Sequence, residues 1–541
     1  MRCEVLLKDL YGCYRKNGIK IRAAGCFHYQ NRYYSGQTAL QFLFDHHHSI
    51  EAKCADMNGT YAFVIQTAER VLACVDRVRS WPLYYRADGG IVTDDICRCL
   101  GSKRFDSLGV SEFISAGYTV GSRTLFSGFH SIQPGQYIVI TRAGIKTYTY
   151  FTHHHPYNPA LDIESACETV QNISDRWCER LVRSAEGRPI VVPLSGGYDS
   201  RYIVCMLKRH GYRNLLCYTY GMPGSYEIET AEAVTKKLGI EWYCVYYDKT
   251  LWKRFMDQGL LQNFSRFALR GDAIPCLQEV AALYELCGKG IIDKASIVAP
   301  GYCGDLFGGS YLLPDFRSDG MYNTHILAEY LLDKHFSLQK EAYRHEGTAG
   351  DIELSLGLKP MFGTRPPWFT YDEAVSLNEE WLTRHKVSKF VVNACRMYEF
   401  MGLRWRLPLW DNDLTGFWYT VPNAFRCHGR RMYQNWLFEA LFAPMGVDFK
   451  KPESFNKVPS GGKLKAFVKG IPAFTSNVLG LDLRPDSDFN GFHYLGGVLY
   501  RRVKNRKVLN PCKYNLTGAY ALYCLESILG QAAIQEGTMD E

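Results

Sequence analysis

A run of five apolar residues, Ile190-Val191-Val192-Pro193-Leu194, leads straight into Ser195-Gly196-Gly197-Tyr198-Asp199-Ser200, and a helical pattern follows from Arg201 to His210. No other stretch of the 541 residues constrains the fold as tightly. A short, continuously apolar run reads as a parallel strand buried on both faces. Two adjacent glycines let the backbone approach a ligand closely and turn its N–H groups inward. The helix start beyond them adds a partial positive charge. Strand, loop and helix together make a place for phosphate. The hydroxyls of Ser195 and Ser200 can donate to its oxygens. Asp199 would repel phosphate directly, so a bridging Mg2+ is its natural role. The plain alternative is a glycine turn with a helix cap. The loop lacks the G-x-x-x-x-G-K-[ST] pattern of a P-loop.

The neighbouring segments continue the pattern. Leu215 to Tyr220 and Trp242 to Tyr247 read as strands, with a helix from Glu227 to Leu238 between them. A further strand, Ser296-Ile297-Val298-Ala299, ends at Pro300-Gly301. Such strand–helix alternation predicts an open parallel α/β sheet. Beyond about residue 320 the patterns are mainly helical. Residues 1–150 differ. Tyr61–Ile65, Val71–Val75 and Gln136–Ile140 are short β-like runs between turn residues such as Asn58-Gly59 and Pro134-Gly135, which predicts stacked antiparallel sheets. Residues 151–164 read as a linker containing His153, His154 and His155. A helical pattern runs from Ile163 to Ser184.

Composition narrows the function classes. Hydrophobic residues make up 47% and charged residues 22%, which excludes global disorder and permits a sizeable core. The net charge of +8 is spread out, and the densest basic stretch, Arg501 to Lys507, reads as a solvated face. No nucleic-acid partner is expected. No run approaches the roughly 18 apolar residues of a membrane span, and no secretory leader is evident, so a cytoplasmic protein with reduced thiols is expected. The 19 cysteines show no zinc-ligand spacing: Cys97 and Cys99 are too close together. The two His triplets, His46–His48 and His153–His155, read as a surface turn and part of the linker.

Ser-Gly-Gly-x-Asp-Ser after a buried strand resembles the PP-loop of the ATP pyrophosphatases, and several further segments point to the asparagine synthetase branch. Met57–Phe63 followed by Asp76–Tyr85 is similar to the amidotransferase half of that family. Tyr218-Thr219-Tyr220-Gly221 resembles the strand end that holds adenine. Gly301-Tyr302-Cys303-Gly304-Asp305-Leu306-Phe307-Gly308-Gly309 resembles the second ATP loop, and Arg406-Leu407-Pro408-Leu409-Trp410-Asp411 an Arg-x-Pro-x-x-Asp element. The resemblance implies a parallel-sheet PP-loop synthetase domain at 165–541, of the adenine nucleotide alpha hydrolase-like kind. An antiparallel, β-rich, Ntn-hydrolase-like α+β domain at 1–150 would precede it. It also implies ATP contacts from Leu194, Ser195, Gly196, Gly197, Asp199, Ser200, Tyr220 and Gly301, with Mg2+ on Asp199 and Asp305. Small-molecule carboxylate and amine substrates follow, and a homodimer is compatible with it.

The departures matter as much. The family's glutaminase nucleophile is a cysteine exposed at the chain start, whose α-amine serves as base. Here Arg2 follows Met1 and the cysteine is Cys3, so a degenerate glutaminase half is expected. In the second loop, Tyr302 stands where the family places a catalytic Glu. That substitution resembles the β-lactam synthetase branch, in which a Tyr–Glu dyad deprotonates an amine. Glu399 lies near the position of the Glu partner, and a carboxylate accepting from a tyrosine hydroxyl would hold and polarise it. Pairing of Glu399 with Arg404 or Arg406 is the plain alternative. Lys457, in a glycine-rich context, resembles the lysine placed over the adenylate, where an ammonium stabilises developing charge. The spacing implies an insertion at about 312–370.

The function expected from these residues is an ATP-dependent, amide-forming ligase that adenylates a carboxylate and releases AMP and pyrophosphate without hydrolysing glutamine. A glutamine-hydrolysing asparagine synthetase would require a mature chain beginning at Cys3. A non-catalytic nucleotide-binding descendant is the third reading.

Overall fold

The computed structural model describes residues 3–99, 104–302, 304–339, 346–357, 367–450, 492–509 and 516–530. In the N-terminal part, the strands Ile19–Tyr29, Asn58–Gln66, Val71–Val75, Gln136–Thr141 and Gly144–Thr149 pair antiparallel in one seven-stranded sheet. A four-stranded sheet lies against it. Its edge strand Glu4–Leu6 runs parallel to Ile91–Thr93. Side chains alternate across a strand. Ala62 and Val64 therefore pack with Cys3, Leu7, Val75 and Ile138 on one face. Tyr61, Phe63 and Ile65 pack under the helix Gly36–Asp45, on Leu40 and Leu43, on the other. With both faces covered, Asn58–Gln66 reads as the almost unbroken apolar run seen in the sequence.

Helix α1 (Ile163–Ala185) begins at Asp162, whose carboxylate accepts from Ser165 N–H at 2.9 Å. Its buried stripe, Val170, Ile173, Trp177 and Leu181, recurs every three to four residues and faces the second part of the chain. There, β1 (Ile190–Pro193), β2 (Leu215–Gly221), β3 (Glu241–Tyr246), β4 (Ile297–Val298) and β5 (Arg404–Trp405) form a five-stranded sheet in the order β3-β2-β1-β4-β5. Every neighbouring pair is parallel. The helices α2 (Tyr198–Arg209), α3 (Tyr226–Leu238) and α4 (Val280–Gly288) connect successive strands. The chain is thus an α/β protein with its parallel sheet preceded by an antiparallel, β-rich part. The sheet grows from β1 to β2 and β3 on one side and to β4 and β5 on the other. Such a reversal leaves a crevice beyond the carboxyl ends of the two central strands.

One departure from the sequence reading concerns burial. Residues 150–162 carry no helix or strand, but His153 and His155 are only 2% and 4% exposed. The His153 ring bridges Tyr419 Oη at 2.6 Å and the Arg77 carbonyl at 2.7 Å, so this stretch is packed into the molecule. The Arg406–Asp411 element does not serve the crevice. Asp411 accepts from Asn58 Nδ2 at 2.9 Å and from Arg180 Nε and Nη2 at 2.7 and 2.6 Å, clasping the antiparallel sheet, α1 and α8 (Asn412–Trp418) together. Among the described residues no helix is long and apolar enough to cross a membrane.

Candidate active site

The crevice is an open cavity of about 930 Å³. Of the expected ATP residues, Leu194, Ser195, Gly197, Asp199, Ser200, Tyr220 and Gly301 line it, together with Tyr302. The loop after β1 is folded by its own hydroxyls: Ser195 N–H donates to Ser200 Oγ at 3.1 Å and Gly197 N–H to Ser195 Oγ at 3.1 Å. Gly197 caps α2, and Asp199 sits in the first turn of that helix.

The glycines are sterically required. A Cβ on Gly196 would lie 2.8 Å from the Tyr226 ring, and one on Gly301 2.8 Å from Ser200 N. A Cβ on Gly304, in α5 (Gly304–Phe307), would lie 2.0 Å from the Asp199 carboxylate carbon. Two loops therefore meet backbone to backbone, leaving a cradle free of side chains. That cradle and its two serine hydroxyls fit a nucleotide's phosphates.

The cradle also holds an acid that the sequence reading missed. Gly196 N–H donates to Glu227 Oε2 at 2.8 Å, from the first turn of α3. Asp199 accepts from Tyr433 Oη at 2.7 Å. Asp305 is placed otherwise than expected. Its loop runs against Asp199, but its own side chain is exposed, accepts from Ser310 Oγ at 3.1 Å and does not line the cavity. Among the described residues no group of three or more His, Cys, Asp or Glu side chains is arranged to hold a metal ion. Mg2+ bound together with phosphates needs only one or two carboxylates, and Asp199 and Glu227 both line the cavity.

Opposite the phosphate loop stands a buried tyrosine–glutamate cluster. Tyr302 Oη donates to Glu279 Oε2 at 3.2 Å, and Tyr218 Oη donates to Glu279 Oε1. Tyr398 Oη donates to Tyr302 Oη at 3.2 Å. Glu279 precedes α4 and is 2% exposed. Burial pushes its carboxyl up to about 7, against the hydrogen bonds from Tyr218, Tyr398 and Tyr302. Burial also raises the Tyr302 hydroxyl well above its ordinary value, and the Glu279 charge raises it further. Tyr220 stacks on Tyr247 at 5.2 Å beside this cluster.

The expected Tyr302–Glu399 pair is corrected by this geometry. Glu399, on α7 (Arg396–Phe400), lies 2.8 Å from Arg396 Nη1 and 3.1 Å from Arg270 Nη2, and accepts from Trp405 Nε1 at 3.3 Å. Two guanidiniums hold it away from the cavity, and Glu279 takes the place beside Tyr302. Neither Arg404 nor Arg406 is its partner. Lys457 lies outside the described residues. Glu279 was missed because Gln278-Glu279-Val280 carries no motif; a single acid before an apolar helix looks like any helix start.

A comparison with protein families matches residues 181–443 to the asparagine synthase family. Among curated proteins, this chain is 27% identical over 264 residues to "Amidase chyE" of Penicillium rubens, covering 42% of this chain and 39% of that one. It is 25% identical over 224 residues to "Amidase chry2" of Gibberella zeae, covering 37% and 33%. The matches thus span well under half the length of these relatives. An NH3-dependent NAD synthetase from Campylobacter jejuni aligns over 42% of this chain and 96% of its own, at 17% identity and a TM-score of 0.21. Within the matched residues 181–443 fall the Ser195–Ser200 loop, Glu227, Glu279 and Tyr302 alike.

Proposed function

We propose that this chain is an ATP-dependent ligase that converts a small-molecule carboxylate into an amide through an acyl-adenylate. The carboxylate oxygen attacks the α-phosphorus of ATP and pyrophosphate leaves. An amine then attacks the acyl carbon, loses a proton and expels AMP. The observation that carries this reading is that the phosphate cradle at Ser195–Ser200 and the Tyr302–Glu279 pair open onto one cavity. Each half of the reaction therefore has its chemistry within the same space.

The hydroxyls of Ser195 and Ser200 donate to the phosphates, while the N–H groups of Gly196 and Gly197 hold Glu227 and the Ser195 oxygen in place around them. Asp199 and Glu227 are the carboxylates available to Mg2+, with Asp305 a ligand only if its side chain leaves Ser310. When bound, the metal neutralises charge on the phosphates. Adenine lies against Leu194 and Tyr220. Glu279, with an acid–base balance set by burial near pH 7, accepts the amine's proton through Tyr302. Lys457 retains its proposed role over the α-phosphate. The amidase names of the two relatives are compatible with chemistry at an amide bond.

Glutamine is not the nitrogen source in this reading. Burial pushes the Cys3 thiol up to about 11, and it is packed among Leu7, Ala62 and Val64. A buried thiol without thiolate character is a poor nucleophile. The test is product analysis with Mg-ATP and a panel of carboxylic acids, supplied with ammonium, simple amines or glutamine. AMP should form with ammonium or an amine, and glutamine should yield no glutamate. ADP with phosphate in place of AMP would overturn the ligase reading. Glutamate formed in step with AMP would overturn the part concerning glutamine.

A further inference from the structure

Glu399 belongs to a buried ionic cluster that joins the two parts of the chain. From the parallel-sheet part come Arg270, Asp272, Arg396 and Glu399. From the N-terminal part come Arg79, Ser80, Tyr84 and Asp94. Arg270 bridges Asp94 Oδ2 at 2.8 Å and Glu399 Oε2 at 3.1 Å. Arg396 bridges Glu399 at 2.8 Å and the Ser80 carbonyl at 2.6 Å. Asp272 accepts from Arg79 at 2.6 Å and from Tyr84 Oη at 2.7 Å. The six charged side chains are at most 4% exposed. The three acids and three guanidiniums balance one another, with the Lys8–Asp95 pair beside Arg270 and Lys389 beside Asp272.

The N-terminal part invests backbone geometry in this cluster. Arg79 has φ 56°, a left-handed conformation that a residue other than glycine seldom adopts. The turn is held by Asp76, whose carboxylate accepts from Val78 N–H at 2.8 Å and from the Ser80 N–H and hydroxyl. The turn delivers the Arg79 side chain to Asp272 and the Ser80 carbonyl to Arg396.

The cluster ends beside the candidate site. Glu399 and Tyr398 are neighbours on the short helix α7, and Tyr398 Oη donates to Tyr302 Oη. Two ties leave α7, from Glu399 to Arg270 and from Arg396 to the Ser80 carbonyl; together they fix the rotation of the helix about its axis, and hence the height at which the Tyr398 hydroxyl meets Tyr302. We propose that Asp94, through Arg270 and Glu399, is a positioning residue for the Tyr398–Tyr302–Glu279 relay, so that the N-terminal part sets the geometry of the acceptor side of the cavity. Its catalytic consequence rests on the ligase reading above; the structural coupling does not.

The test uses the whole chain carrying 13Cζ-labelled tyrosine, whose ring signals report hydroxyl hydrogen bonding and need no substrate. Tyr302→Phe and Tyr398→Phe identify the two signals by their loss. Asp94→Asn, which keeps the shape but leaves Arg270 short of one charge, should shift both signals, while the exposed Tyr246, identified by Tyr246→Phe, stays in place. Asp94→Glu should bring them part of the way back, which a general loss of stability would not do. If Asp94→Asn does not fold, Arg270→Lys is read the same way. In turnover, Asp94→Asn should lower kcat for amide formation on the order of tenfold to a hundredfold, with KM for ATP unchanged. Folded Asp94→Asn and Arg270→Lys proteins with both signals unmoved would overturn the proposal. Shifted signals in a protein that forms no AMP would instead refute the ligase reading and leave the coupling standing.

Discussion

Replacing Tyr302 by Phe removes one hydroxyl donor from Glu279 without altering the volume of the ring. The Glu279 carboxyl stands at about 7 because burial raises it while tyrosine hydroxyls hold it down. A hydrogen bond to a charged group contributes about 1.5–3 kcal/mol. At about 1.4 kcal/mol per unit, that corresponds to roughly one to two pH units. Tyr398 also touches this cluster and can take over part of the interaction, which favours the lower figure. Tyr302→Phe should therefore move the carboxyl up by about one unit. As the base, Glu279 acts as the carboxylate, so activity rises with pH through its titration. The assay is the initial rate of amide formation at saturating ATP between pH 5.5 and about 9.5, a window spanning the expected shift. The wild-type rate should rise with an inflection near 7. Tyr302→Phe should show a lower plateau and an inflection about one unit higher, and Tyr218→Phe should also move it upward. Glu279→Gln should lose both the inflection and most of the rate. An unmoved inflection in Tyr302→Phe, or an inflection that survives in Glu279→Gln, would refute the assignment.

Three further outcomes follow from the same geometry. Because the folded-state pKa of Glu279 is raised from 4.5 to about 7, its contribution to stability is fully present below about pH 4.5 and is lost as pH rises toward 7; urea unfolding at pH 5 and pH 8 should show that Glu279→Gln removes a fall of about 3 kcal/mol. Gly304→Ala drives a Cβ into the Asp199 carboxylate, so calorimetry should find ATP affinity lost while far-ultraviolet dichroism stays native. Asp411→Ala leaves Asn58 without its acceptor, leaves Arg180 with Asp413 alone and uncaps α8, so chemical denaturation should report a loss of about 2–3 kcal/mol.

The parallel sheet was legible because its signals are local. Ile190–Leu194 is apolar on both faces, Gly196-Gly197 allows one kind of loop, and the helices on either side begin within a few residues of where their patterns start. The loop after Ile190–Leu194 was legible for the same reason, and seven of the eight residues expected at the site line one cavity. The base was not. Tyr302 could be singled out because it occupies a motif position, but its partner is chosen by how α4 and α7 pack, and sequence separation carries no information on that. Glu399 sits one position from Tyr398, which does reach Tyr302; a helical step turns about 100°, and that turn sends one side chain to the cavity and the other to Arg270 and Arg396. Glu227 was hidden in the first turn of α3, where acids are common for reasons of helix polarity. The burial of His153 was hidden because Pro156 and three adjacent polar rings look like solvent-exposed linker.

The most direct test of the account is the release of pyrophosphate from ATP in the presence of carboxylic acids, followed in the intact chain and in Asp199→Ala. Release that depends on a particular acid, is accompanied by an equal amount of AMP, and disappears in Asp199→Ala is the predicted result. Release unchanged by Asp199→Ala, or phosphate with ADP as the products, would contradict the assignment of the Ser195–Ser200 loop as the site of adenylation.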